Sequence, residues 1–241
     1  MKNEELKINI RELIFYLNIG KGSVISVVGA GGKTTLVQSL ANALAKNFKV
    51  GVLTTTKIMK PDSGDYTGLY IGSVHPEDVS GLGNGIYYFA RESMDNGKLW
   101  DVDEASLDIV RNAMDVLLIE ADGSKCKPLK GWAEFEPVVL KETTMTIGVI
   151  TVKELGRVIS DENVHRMSLF EKLTGAKAGQ KLLKQHLISM ITKPEGLFKN
   201  SVGEKVLLFN QVEDDAAERL ANEIVEEGNL PFEKIIIGCL R

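Results

Sequence analysis

The sequence predicts a three-layer α/β fold with a mainly parallel sheet and helices on both faces. Short runs of apolar, largely β-branched residues, 23–28 and 116–119 the clearest, have the composition of strands buried on both sides. Between such runs lie segments whose apolar residues recur at helical spacing. No internal repeat or low-complexity stretch interrupts the alternation, and strands alternating with helices favour parallel order.

The elements follow in order. Leu6, Ile8, Ile10, Leu13, Ile14, Tyr16 and Leu17 give residues 5–18 a broad apolar face, which predicts a first helix packed at the sheet edge. A strand over 23–28 leads into a glycine turn and a helix over 34–46, with Leu36, Leu40, Ala43 and Leu44 on one face. Residues 50–53 form a short apolar strand ending in Thr54, Thr55, Thr56 and Lys57. Gly, Pro, Asp and Ser fill 60–85, which reads as loop with a short strand near 69–71. A strand over 86–90 precedes an Asn96-Gly97 pair suited to a tight hairpin turn. A helix over 103–113 runs into the strand at 116–119.

The second half repeats the pattern. Residues 144–151 read as a strand, and Ser160 with Asp161 and Glu162 reads as the start of a helix that carries His165 and Arg166. A helix over 181–190 and a turn at 194–197 precede strands at 206–209 and 235–237, which flank a helix over 214–227. Residues 1–241 are expected to form a single domain with the helix over 5–18 packed on it.

Composition narrows the partners. The formal charge of −4, without long runs of Lys and Arg, gives no nucleic-acid-binding surface. Cys126 and Cys239 are too few for a disulfide framework and suit a reducing compartment. The opening Met-Lys-Asn-Glu-Glu lacks the apolar core of a signal peptide. No apolar stretch approaches the roughly 20 residues that span a bilayer. A cytoplasmic protein without membrane partners is expected.

The chemistry is concentrated in Gly29-Ala30-Gly31-Gly32-Lys33-Thr34-Thr35, a glycine-rich loop between the first strand and its helix. Amides of such a loop and first helical turn point at a common centre, and the helix dipole favours an anion there. In this arrangement Lys33 reaches the outer phosphates of a nucleotide and the Thr34 hydroxyl ligates Mg²⁺. A P-loop NTPase-like fold with ATP or GTP and Mg²⁺ follows as the expectation. The loop is the short form Gly29-x-x-Gly32-Lys33-Thr34, with Val27 where the longer pattern has glycine.

The strand at 116–119 ends in Glu120-Ala121-Asp122, whose two carboxylates share one side of an extended segment. Phosphoryl chemistry needs such an acid near its metal, so either can hold Mg²⁺ while the other orients water. Lys33, Glu120 and Asp122 are therefore the candidate catalytic residues. Thr56 and Lys57 end a neighbouring strand on the same rim and are candidate substrate or phosphate contacts. Lys125, Lys127 and Lys130 follow the acids and suit an anionic substrate, with Cys126 among them. His165 and Arg166 offer a proton or a charge clamp. Asn210, closing the strand at 206–209 before Gln211 and Glu213, is a candidate base contact.

In this order Gly29 to Thr35, Thr54 to Lys57, Glu120-Ala121-Asp122-Gly123-Ser124, Pro128-Leu129-Lys130, Glu134-x-Glu136-Pro137 and Val164-His165-Arg166 form a set. On that set the chain resembles the YqeC family, accessory proteins of selenium-dependent molybdenum hydroxylases. The resemblance implies a role in maturing such an enzyme, with that hydroxylase or its cofactor-maturation proteins as partners. The acidic segment is also similar to that of Mur ligases. Three functions stay open: a Mg²⁺-dependent nucleoside triphosphatase serving maturation, a kinase or ligase activating a small acid or cofactor, and a nucleotide-switched binding module with negligible turnover.

Overall fold

A computed structural model describes residues 7–59, 62, 64–93, 98–100 and 102–240, with the side chains of 57–59, 98 and 100 outside that description. The first half contains α1 (Ile10–Tyr16), β1 (Ser23–Gly29), α2 (Lys33–Leu44), β2 (Lys49–Thr54), β3 (Lys57–Met59) and β4 (Gly68–Ile71). Next come α3 (Pro76–Val79), β5 (Gly85–Ala90), β6 (Glu92–Ser93), β7 (Lys98–Trp100), α4 (Glu104–Ala113) and β8 (Val116–Glu120). The second half contains β9 (Leu129–Lys130), β10 (Met145–Thr151), β11 (Val164–His165), α5 (Met167–Thr174), α6 (Lys184–Thr192), β12 (Glu204–Asn210), α7 (Asp215–Gly228) and β13 (Lys234–Ile237).

Eight strands make one sheet in the order β13-β12-β10-β1-β8-β2-β5-β4, and every neighbouring pair is parallel. The alternation of side chains along each strand feeds two cores. Val27, Val50, Leu118, Ile147 and Leu208 pack under α1 and α2 with Leu13, Leu36, Leu40 and Leu44. Val28, Leu53, Leu117, Ile119, Leu207 and Phe209 face the opposite layer, where Val110 of α4, Phe170 of α5, Leu187 of α6 and Ile224 of α7 close the core. This is the expected three-layer α/β architecture.

The differences from the sequence reading are local. The first helix starts at Ile10, because Asn9 caps it and the Ile8 amide pairs with the Cys239 carbonyl instead. Its expected start at residues 5 and 6 lies outside the described residues, as does the Asn96-Gly97 turn. Within 60–85 a short helix forms at α3, where Pro76 sits at the first turn and the Asp78 carboxylate accepts from the His75 amide at 2.8 Å. The helix expected from 181 begins at Lys184, since Lys181 bridges to Val158.

Ser160 does not open a helix. Asn163 Oδ1 accepts from the Ser160 amide at 2.9 Å and closes a turn, after which Val164 and His165 pair in parallel with Leu129 and Lys130. The helix waits until Met167, beyond Arg166 in a left-handed conformation at φ 59°. His165 and Arg166 thus leave a strand end rather than a helix face.

Candidate functional site

The sheet register assembles the site. Glu120, the last residue of β8, lies level with Val27 of β1 on one side and Thr54 of β2 on the other. Gly29 pairs with Val149 of β10, and Asn210 of β12 pairs with Thr151. The carboxyl ends of five adjacent strands therefore meet around the loop 29–35, where a parallel sheet places its ligands.

The loop depends on its glycines. Gly29, Gly31 and Gly32 have φ of 101°, 89° and 127°, a region that side chains strain to reach. A Cβ on Gly29 would run into the Val149 carbonyl oxygen, and one on Gly32 into the Asn210 amide. The Ala30 amide is held by the Val149 carbonyl at 3.0 Å. Helix α2 then opens at Lys33 with Gly32 as an N-cap that supplies no side-chain bond. A helix start of this kind presents unpaired amides and a positive dipole end. Thr34 and Thr35 are both exposed there.

Lys33 is 3 % exposed and folds back on its own loop. Its ammonium donates to the Gly29 carbonyl at 2.7 Å and lies 3.4 Å from Asp122 and 3.8 Å from Glu120. The Thr34 hydroxyl donates to Glu120 Oε2 at 3.0 Å. Burial raises the Glu120 carboxyl above its ordinary range, and the Lys33 ammonium and Thr34 hydroxyl only partly oppose it.

Asp122 is fully enclosed and heavily bonded. Both its oxygens accept from the Gly29 amide at 3.1 Å, and Oδ2 also accepts from Trp132 Nε1 at 2.7 Å and Lys130 Nζ at 3.0 Å. Burial pushes its carboxyl up, but the charges of Lys33 and Lys130 and the Gly29 amide outweigh that and hold it below the ordinary range. With these donors in place, Asp122 fixes the loop, and Glu120 is the carboxylate left facing Thr34.

Beyond Asp122 the charges alternate. Lys130 donates to Asp122, to the Gly123 carbonyl at 2.7 Å and to Glu136 Oε2 at 3.1 Å. Its ammonium also stands 5.4 Å from the Trp132 ring centre. Arg166 grips Glu136 with both terminal nitrogens and stacks on the exposed Phe135. Glu136 is pushed up by burial, yet Arg166 and Lys130 hold it below its ordinary range.

The remaining expected residues fall in two groups. Thr56 lies on the rim, its amide bonded to the Thr54 hydroxyl at 3.0 Å, and Lys57 opens β3 with a side chain outside the described set. Lys125 and Cys126 are exposed. Lys127 is drawn off by the carbonyls of Asp161 and Val164. Asn210, expected to face a base, uses both ends of its amide inside the fold: Nδ2 donates to the Gly31 carbonyl at 2.9 Å and Oδ1 accepts from the Leu240 amide at 3.0 Å. Trp132 and Glu136 join the cluster at Asp122 and Lys130 without being among the candidate residues, although Glu136 stands in the Glu134-x-Glu136-Pro137 motif. An indole N–H two residues after a lysine and beside an acid pair was the available signal.

The sequence profile of the YqeC family, described as YqeC protein, matches residues 25–168. The chain belongs to the YqeC family. It is 35% identical over 181 residues to the Escherichia coli (strain K12) protein described as "Uncharacterized protein YqeC", covering 74% of this chain and 71% of that one. No solved structure gives a significant match. The YqeC segment takes in the whole charged run from Lys33 through Asp122, Lys130 and Glu136 to Arg166, whereas Asn210 lies beyond it. Among the described residues no helix is long and apolar enough to cross a membrane.

Proposed function

We propose that this chain binds a nucleoside triphosphate, ATP or GTP, with Mg²⁺ and hydrolyses it in the maturation of a selenium-dependent molybdenum hydroxylase. One observation carries the nucleotide reading: Thr34 and Glu120 meet at 3.0 Å at the open start of α2, with the Lys33 ammonium 3.8 Å from the same carboxylate. A cation, an alcohol and an acid at a glycine-walled helix start are what a metal-bound phosphate chain requires. The client is supported by the family resemblance alone.

The residues fit the absent groups. Gly29, Gly31 and Gly32 hold the loop in positive-φ conformations that a side chain would strain, and the exposed Thr34 and Thr35 leave the helix start open. Thr34 and Glu120 would hold Mg²⁺, which neutralises phosphate charge when bound. Lys33 exchanges the Gly29 carbonyl for a phosphate oxygen, a trade of one acceptor for a charged one. Glu120 is the residue available to orient water, because Asp122 is committed to Gly29, Trp132 and Lys130. Asp122 is thus a positioning residue.

Calorimetric titration with ATP and GTP, each with and without Mg²⁺, tests the reading. Saturable binding that Lys33→Ala abolishes is expected, with phosphate release that needs the metal. Triphosphate binding that survives Lys33→Ala overturns it. Binding with no phosphate release that Glu120→Gln can lower overturns the hydrolytic part and leaves the switch.

A further inference from the structure

The acid beside Thr34 fixes the direction in which a nucleotide would lie. Glu120 ends β8, on one flank of β1, and meets Thr34 there at 3.0 Å. With a metal and the outer phosphates on that flank, the sugar and base run the other way, over the ends of β10, β12 and β13. That side of the rim is tied directly to the loop. Asn210 Nδ2 donates to the Gly31 carbonyl at 2.9 Å, while Asn210 Oδ1 accepts from the Leu240 amide at 3.0 Å.

Beyond Asn210 the chain turns so as to present one acid. Gln211 takes a left-handed φ of 61°, a conformation uncommon outside glycine. Val212 then returns to the core, its amide held by the Gly238 carbonyl at 3.1 Å. Glu213 emerges exposed on the rim, three residues after Asn210. Its carboxylate reaches across three strand ends: Oε1 lies 3.5 Å from the ammonium of Lys153, which follows β10, and 4.0 Å from Sγ of Cys239, which follows β13. The next acid, Asp214, is committed to capping α7 through the Ala217 amide at 2.8 Å. Lys153 and Glu213 are each about half exposed. An ion pair so open to water contributes little, so the donors of a ligand can replace Lys153 at small cost.

We propose that Glu213 reads the base of the bound nucleotide and that the base is guanine, an inference that rests on the triphosphate reading. Guanine presents its N1–H and its 2-amino group side by side, two parallel donors that one carboxylate accepts together. Adenine presents at the same edge a ring nitrogen that is itself an acceptor, and a carboxylate leaves it unpaired. Glu213 therefore selects GTP by attraction and rejects ATP by mismatch. Asn210 is a positioning residue in this arrangement, holding the Gly31 carbonyl and the Leu240 amide in one register so that the phosphate loop and the base side stay aligned.

Calorimetric titration of the full chain with Mg²⁺ and each of GTP, ATP, inosine triphosphate and xanthosine triphosphate tests it, on the parent and on Glu213→Gln. GTP is expected to bind about 100-fold more tightly than ATP. Inosine triphosphate lacks the 2-amino group and should bind about tenfold more weakly than GTP. Xanthine has a carbonyl in place of that amino group, so the new amide of Glu213→Gln can donate to it. The variant should lose about 30-fold in GTP affinity and gain about as much for xanthosine triphosphate. A misfolded chain cannot give that gain, and a merely structural role for Glu213 would not produce it. Equal affinity for GTP and ATP, or a preference for ATP, overturns the base assignment while the phosphate loop stands. Loss of GTP without gain of xanthosine triphosphate overturns it as well. A parent chain that binds none of the four removes the triphosphate reading and the base assignment together.

Discussion

Lys130 and Asp122 meet at 3.0 Å with neither side chain reached by solvent. The contact sits at the middle of a buried chain of alternating charge. Lys33 is on one side of Asp122, and Glu136 and Arg166 continue from Lys130. Buried ions are expensive unless each finds a partner, and here each does. The pairing ties the loop 29–35 to the segment 129–136 through two side chains of opposite sign.

Removing one partner should therefore be costly. Asp122→Asn leaves Lys130 and Lys33 facing a neutral amide, and unfolding free energy is expected to fall by about 3–5 kcal/mol in urea titrations. Lys130→Met should cost a similar amount, and the double variant less than the two together. Strict additivity in that cycle would show that the pair is not coupled.

Glu120→Gln separates chemistry from fold. Among the described residues the Glu120 carboxylate accepts one hydrogen bond, from the exposed Thr34 hydroxyl, and lies near Lys33, so the amide should fold with little loss of stability. Phosphate release is expected to fall by about 100-fold or more, with triphosphate affinity in the absence of metal unchanged. Release at the wild-type rate would remove Glu120 from the site.

Gly32→Ala tests the loop geometry. The φ of 127° strains any side chain, and the new methyl meets the Asn210 amide that holds the Gly31 carbonyl. A loss of about 1–3 kcal/mol in stability is expected, together with at least tenfold weaker triphosphate binding. Normal affinity in this variant would mean that the loop amides do not touch the ligand.

How much of this could be read beforehand depended on the range of the interactions. The strands at 116–119 and 206–209 were legible because burial on both faces leaves no choice but apolar residues, and the loop 29–35 because glycine and lysine have few other reasons to occur in that order. Both acids of Glu120-Ala121-Asp122 reached the site, yet their roles diverge. That divergence is set by Trp132, Lys130 and the Gly29 amide, none of which is fixed by strand periodicity. Asn210 is legible as a strand-end residue, whereas its partners are not, since the Gly31 carbonyl and the Leu240 amide lie 179 and 30 residues away. The helix expected from Ser160 failed because Asn163 captures the Ser160 amide and Val164 is needed by Leu129. Local signals place elements; the partners of a polar side chain are tertiary.

The last prediction concerns acid. His165 binds its proton at about 4 in the folded chain against an ordinary 6.5, so between these values the unfolded chain carries more protons there. Stability must then fall as pH drops from about 6.5 to about 4. Asp122 and Glu136 are held below their ordinary 3.8 and 4.5, so their contribution is present above those values and lost only as pH falls further. Glu120, raised by burial, slopes the other way, with stability falling as pH rises through its folded value. Comparing the chain with His165→Gln cancels the effects of these three carboxylates. Urea unfolding in chloride between pH 7 and 4 should show the variant losing less stability than the parent, the difference opening below about 6.5. Parallel pH profiles for the two proteins would mean that His165 titrates normally and that the cations around it are not felt by the ring.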